Sequence, residues 1–284
     1  MTDMRGLLPL FASLTLISLI LPAVGATYLQ VEGPITSGQL PNNGSIYLGK
    51  VGPGESFYVL ASATTANQSG AVINIGWDKL QAVNLPSGWS SDPSLLYANP
   101  MKMKVTVAPS AANGTYQFGI RAVNVGNYSK LGNLTLNAYV NVTPNVFTSS
   151  VTPRQLVAGV GQPVNLYITI NNTGASDDPF LINAYGGLPA WNAPFKVIAI
   201  HATRNTYVYP VFVNVSGVYN FNLTINSTTS QLIRKSYPIQ LVAQSSVIND
   251  YGATGQGVVL SPMIYEPAYA IMLLLKGAYA LIFR

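Results

Sequence analysis

The chain has 284 residues, carries a net charge of +5, and contains no cysteine; only 8% of it is charged, against about 25% in an average soluble domain. An apolar share of 49% excludes a disordered chain, which combines low hydrophobicity with high charge, and the scattered Lys and Arg residues lack the concentrated basic footprint of a nucleic-acid binder. Without cysteine there is no disulfide, metal-thiolate or thiol chemistry, so the fold must be held by its cores alone.

The surface must then be built from Asn, Ser, Thr, Gln and Tyr, groups whose charge changes little with pH. That composition suits acidic or otherwise extreme surroundings.

Residues 1–26 read as an export signal. Arg5 supplies the positive start, diluted by Asp3, Leu7 to Leu21 is an apolar run, and Pro22-Ala23-Val24-Gly25-Ala26 offers small residues before Thr27. An uncleaved N-terminal anchor is the alternative. Both place the remainder outside the cytoplasm.

Residues 27–144 predict a first β-sandwich of short strands separated by Gly, Pro, Asn and Ser. Strands are expected at Ser56–Ser62, Ala71–Trp77 and Met101–Val107. Asn113-Gly114 is a turn signal, after which Tyr116, Phe118, Ile120 and Ala122 share one face. Leu134, Leu136, Ala138, Val140 and Val142 then alternate with polar residues. No segment of residues 27–144 shows a helical period.

Pro144 and Pro153 bracket the join to a second sandwich, residues 145–246. Val164, Leu166, Ile168 and Ile170 form one face of its clearest strand. Tyr207–Val215 is a second, Tyr219, Phe221, Leu223 and Ile225 mark a third, and Gln231–Val242 closes the set. Residues 247–262 read as a Gly/Ser connector.

Residues 263–284 are hydrophobic and predict a membrane-associated helix, long enough for about 30 Å of hydrocarbon, with Pro267 suiting its start. Glu266 and Lys276 oppose insertion. The alternative is a packed terminal element, or a strand exchanged between subunits.

The two sandwiches repeat one another. Gly114-Thr115-Tyr116-Gln117-Phe118 returns as Gly217-Val218-Tyr219-Asn220-Phe221, Leu85-Pro86-Ser87-Gly88-Trp89 as Leu188-Pro189-Ala190-Trp191, and Gly52-Pro53-Gly54-Glu55 as Gly159-Val160-Gly161-Gln162. The spacing of about a hundred residues fits a duplicated immunoglobulin-like domain and exceeds solenoid repeats.

Ten Asn-x-Ser/Thr acceptors occur. Nine are candidate glycosylation sites: Asn43, Asn67, Asn113, Asn127, Asn133, Asn171, Asn214, Asn222 and Asn226. The tenth, Asn141, is a poorer acceptor because Pro144 follows Thr143. Asn133, Asn171, Asn222 and Asn226 fall on the polar parity of their strands, where a sugar reaches water. The rival reading is that Asn and Thr are simply what a charge-poor β-surface is made of.

Candidate chemistry is sparse. His201 is the only histidine, at the end of the apolar run Val197–Ile200, and reads as structural. Asp177-Asp178 is the only adjacent carboxylate pair. It offers oxygen ligands for a cation, yet lacks EF-hand spacing and reads as a solvated turn before Pro179. Glu55, Asp78 and Asp92 would serve glycosidase chemistry only if the fold gathered them across a cleft. Trp77, Trp89 and Trp191 invite carbohydrate stacking. Trp89 and Trp191 stand at equivalent repeat positions, which favours core packing, with ligand contact as the alternative. No catalytic residue, cofactor site or metal site is assigned.

The run from Leu85-Pro86-Ser87-Gly88-Trp89 through Met101–Val107 to Ala108-Pro109-Ser110-Ala111-Ala112-Asn113-Gly114-Thr115-Tyr116 resembles the Ig-like modules appended to alpha-galactosidases and related adhesion-type modules of prokaryotic surface proteins. Gly161–Asn172 with Asn171-Asn172-Thr173-Gly174 resembles the opening of cell-adhesion-related Ig-like modules, though the second unit lacks the Gly before its Trp. The resemblance implies a fold and a surface address, with no activity of its own.

The expectation is an all-β, non-enzymatic, membrane-anchored protein of the cell surface, with two tandem Ig-like sandwiches acting as a structural or adhesive stalk or surface-layer accessory. Its partners would be envelope proteins or glycans, with self-association possible. Two rivals stand beside it: a filament subunit joined by strand exchange, with Tyr28–Val31 or the C-terminal segment as donor, and a carbohydrate-binding accessory module using Trp89 or Trp191.

Overall fold

A computed structural model describes residues 27–66, 72–126, 132–188, 194–245, 271–276 and 279. The expected export signal lies outside these residues, as do the 247–262 connector and most of the C-terminal segment.

Nineteen strands are present among the described residues, and they sort into four sheets. Strands β1 (Tyr28–Gly33), β2 (Gly38–Pro41), β4 (Ser56–Ala61), β5 (Thr64–Ala66), β6 (Val72–Gly76), β8 (Ser90–Asp92) and β9 (Met101–Thr106) form one sheet. Facing it are β3 (Ser45–Val51), β7 (Lys79–Val83), β10 (Gly114–Val123) and β11 (Leu134–Val142). Their inward faces enclose one core, with Leu29, Leu48, Phe57, Met103, Phe118 and Leu136 at its centre.

The next two sheets enclose a second core. One holds β12 (Phe147–Thr152), β14 (Val164–Asn172) and β17 (Arg204–Val211). The other holds β13 (Gln155–Gly159), β15 (Asp178–Gly186), β16 (Phe195–Ala199), β18 (Gly217–Ser227) and β19 (Arg234–Gln244). Phe147, Leu166, Phe180, Ile182 and Leu223 are buried between them.

The connectivity of both halves is that of an immunoglobulin-like sandwich. In each, the opening strand is split between the sheets. Its first part pairs antiparallel with the next long strand (β1 with β4, β12 with β14), and its second part runs parallel to the last strand (β3 with β11, β13 with β19). The final three sheet partners also match: β11-β10-β7 and β19-β18-β15.

Alternating strands fold as their pattern dictates, because successive side chains face opposite ways. β11 buries Leu134, Leu136, Ala138, Val140 and Val142. Ser56–Ser62 and Met101–Val107 each end one residue early, and other expected strands also differ at their ends. Tyr207–Val215 stops at Val211, because Val213 turns away and its carbonyl accepts from the Gly161 amide at 2.7 Å. Gln231–Val242 begins only at Arg234, since Ile233 belongs to a turn whose amide donates to Ser230. The strand expected over Ala71–Trp77 ends at Gly76, and Ala71 lies outside the described residues.

Tyr28–Val31 is not a spare strand awaiting a neighbour. It is part of β1, already paired with β2, β4 and β5, with Leu29 and Val31 fully buried. At the other end of the chain residues 271–276 are helical. Among the described residues no helix is long and apolar enough to cross a membrane.

Candidate functional site

The site begins with a turn. Gly52-Pro53-Gly54-Glu55 joins β3 to β4, and the Glu55 amide closes it onto the Gly52 carbonyl at 3.1 Å. Pro53 supplies the fixed φ of the second position and Gly54, at φ +82°, the left-handed third. The repeat copy does the same: Gln162 donates to Gly159 at 3.0 Å and Gly161 has φ +73°.

Between the halves lie only the four residues 143–146. They are tied at both ends: the Thr143 amide donates to Val51, and the Thr173 amide and hydroxyl both donate to Val146. The turn at Gly52–Glu55 is thereby set against two loops of the second half, residues 173–177 and 228–233.

Asn172 shapes the first of these loops. It is 1% exposed; its amide nitrogen donates to the carbonyls of Ser176 and Ala199, and its oxygen accepts from the Gly174 amide. So held, the loop reaches into the first half. The Ala175 amide donates to the Lys50 carbonyl at 2.7 Å, and the Ser176 hydroxyl donates to the Ser56 carbonyl at 2.6 Å. The Ala175 side chain is buried in the first core, not the second. From the second loop Ile233 closes over Gly52: a β-carbon on Gly52 would come within 2.2 Å of its Cδ1.

Two carboxyl groups are enclosed here, one from each half. Glu55 and Asp178 are each 1% exposed, and their side chains are within hydrogen-bonding reach of one another. One oxygen of each is satisfied. Glu55 Oε2 accepts from the Gly52 amide, and Asp178 Oδ1 from the hydroxyls of Ser227 and Thr229 at 2.9 and 3.0 Å. The second oxygens, Glu55 Oε1 and Asp178 Oδ2, are buried with no donor directed at them.

Burial, which penalises the charged form, pushes the Glu55 carboxyl up to about 8, and the Asp178 charge adds to the rise. Burial raises Asp178 as well, opposed by the hydrogen bonds from Ser227 and Thr229.

Beside the pair, a cleft of about 260 Å³ opens between the halves, lined in part by Glu32, Tyr58, Lys102, Asp177 and His201. Lys102 Nζ sits 3.9 Å above the Tyr58 ring. His201 is bound through both its amide and Nδ1 to Asp177 Oδ1, at 2.8 and 2.7 Å.

The adjacent aspartates therefore divide. Asp177 faces solvent and holds His201, whereas Asp178 is not in a solvated turn but in the joint, because Pro179 already belongs to β15. Glu55, Asp78 and Asp92 are not gathered. Asp78 accepts from the Gly126 amide at the far end of the first half, and Asp92 lies on the exposed strand β8. Among the described residues no three His, Cys, Asp or Glu side chains form a metal-holding group.

Trp89 is 8% exposed, with its ring 5.4 Å from Tyr116 and 6.3 Å from Phe118. Trp77 is also buried, its indole nitrogen directed at the Gly132 carbonyl. Trp191 lies outside the described residues, as do Asn67 and Asn127. Asn43, Asn113, Asn133 and Asn222 are exposed, and Asn171, Asn214 and Asn226 half-buried.

No sequence-family model and no curated protein matches the chain. Solved structures do resemble it. Domains 4 and 5 of the S-layer protein SbsC align over 78% of this chain and 100% of theirs, at 13% identity and a TM-score of 0.33. The I9–I11 tandem of titin covers 74% and 70%, at 10% identity and 0.34. The ectodomain of the teleost fish polymeric Ig receptor covers 77% and 100%, at 10% identity and 0.23.

Proposed function

We propose that this chain is a non-enzymatic structural protein of the cell envelope, in which two Ig-like units, 27–144 and 145–246, form a stiff stalk or surface-layer accessory. The supporting observation is the joint. A four-residue connection, the insertion of Ala175 into the other unit's core, and two hydrogen bonds from its loop suit an element that keeps its two ends at a fixed spacing. Relative motion is the default for domains joined by a flexible linker, and this joint is built against it.

The envelope address draws on the export-signal pattern of residues 1–26, the hydrophobic segment 263–284 and the abundance of Asn-x-Ser/Thr acceptors. Envelope proteins or glycans would be its partners.

Small-angle scattering on the detergent-solubilised full chain tests the stalk. One elongated rigid body is expected, and Ala175→Arg, which forces a cation into the first core, should convert it into two hinged bodies. Free hinging in the wild type would end the reading. Fractionation of expressing cells tests the address: recovery in the cytosol would refute it.

A further inference from the structure

The joint contains an arrangement that a purely static clamp would not need. Two acidic side chains from opposite halves, 123 positions apart in sequence, are buried against each other. Each keeps one oxygen without a donor. Two buried carboxylates left so would repel one another at full desolvation cost. A single proton shared by the two carboxyl groups would relieve the repulsion and supply a donor where none is present.

We propose that Glu55 and Asp178 share one proton and act as an acid latch between the two sandwiches, locking them when protonated and releasing them when the proton is lost.

The surroundings leave the proton little competition. Around the pair, Lys50 contributes its backbone carbonyl to the joint while its side chain is exposed. Asp177 and His201 are occupied with one another on the rim. Glu32 and Lys102 line the neighbouring cleft, and Lys235 lies 5.1 Å from the Phe147 ring. Arg234 pairs in register with Asn226 at the end of β18. Among the described residues none of these cations forms an ion pair with Glu55 or Asp178.

A divalent cation fits less well. Calcium takes six to eight oxygen ligands, and the pair offers only two buried oxygens that no donor already holds. The repeat supplies a contrast: Gln162, which cannot ionise, stands where the first half has Glu55.

The latch has a definite direction. Below about 4.5, the ordinary value for a glutamic acid, opening the joint releases no proton from Glu55. Between there and the raised value near 8, opening releases one. The opening equilibrium should rise by up to about tenfold per pH unit across that window and level off above it.

Hydrogen exchange of the full chain in detergent, read at the Ala175 amide and corrected for intrinsic rates, measures the opening. Expected is strong protection at pH 4–5 and its progressive loss towards pH 9. Glu55→Gln and Asp178→Asn keep the shape and replace the shared proton with an amide donor, so each should stay protected at pH 9; either variant suffices if the other does not fold. A flat wild-type profile would overturn the latch, as would an unchanged slope in a folded variant. So would protection at pH 8 that appears with calcium chloride and vanishes with EDTA, which would place a cation between the carboxyls.

Discussion

Tyr116 and Tyr219 close the same corner in the two halves of the molecule. Each hydroxyl donates to the carbonyl four residues earlier, Tyr116 to Ala112 at 3.1 Å and Tyr219 to Val215 at 2.8 Å. Each lies at the start of the strand that enters beside the last one, where immunoglobulin-like sandwiches place their tyrosine corner. The recurring Gly-x-Tyr-x-Phe is thus a corner bond followed by a core ring, since Phe118 and Phe221 are buried two residues on.

Removing only the hydroxyl isolates that bond. Tyr116→Phe and Tyr219→Phe should each lower unfolding stability by about 1 kcal/mol. Urea denaturation checks it, and the m-value should stay constant. Because the corners lie in separate cores, the double variant should lose the sum of the two.

Gly54 and Gly161 offer a paired test of the joint. Both occupy the left-handed region, so Ala at either should cost about 1–3 kcal/mol through the backbone. At Gly54 the added β-carbon also comes within 3.3 Å of the Thr229 carbonyl in the other half. Gly54→Ala should therefore raise hydrogen exchange at the Ala175 amide, while Gly161→Ala leaves that amide untouched. Equal exchange in the two variants would show that the turn does not bear on the joint.

The strands were legible where one face is buried and one is wet. The period of two carries the register of β11, and the central residues of β14 and β18, directly in the letters. β15 was hidden, because Asp177-Asp178-Pro179 has turn composition, yet Pro179 already lies in the strand and Phe180, Ile182 and Ala184 alternate inward. The joint was hidden for a stronger reason. Its carboxyls lie far apart in sequence, each within a stretch that locally specifies only a turn, and only tertiary packing brings them together. One trace existed: Glu55 is an acid where its repeat copy is Gln162, in a chain with just nine acids.

The pH dependence of global stability follows from the same carboxyls. Both values are raised in the folded state, Glu55 to about 8, so the folded chain holds more protons than the unfolded one between about 4.5 and 8. Their stabilising contribution is fully present below that value and is lost as pH rises through 8, at up to about 1.4 kcal/mol per pH unit for one proton. Thermal unfolding should give a higher Tm at pH 5 than at pH 9, and Glu55→Gln should shrink the difference. A Tm that climbs from pH 5 to pH 9 would contradict this sign.

Trp89 separates packing from ligand contact in one substitution. Its ring lies against Tyr116 and Phe118 under the corner, 8% exposed. A buried Trp replaced by Ala leaves a large void as well as losing its transfer energy, and such changes cost about 3–5 kcal/mol. Trp89→Ala should accordingly lower the urea midpoint strongly. Trp89→Phe, which keeps an aromatic ring in the site, should recover much of the loss. Tryptophan used for sugar stacking would behave the opposite way, with stability nearly unchanged and glycan retention abolished. Paired urea melts and glycan-array binding on the wild type and both variants distinguish the two, because a core role predicts a stability loss that tracks side-chain volume, whatever sugars are offered.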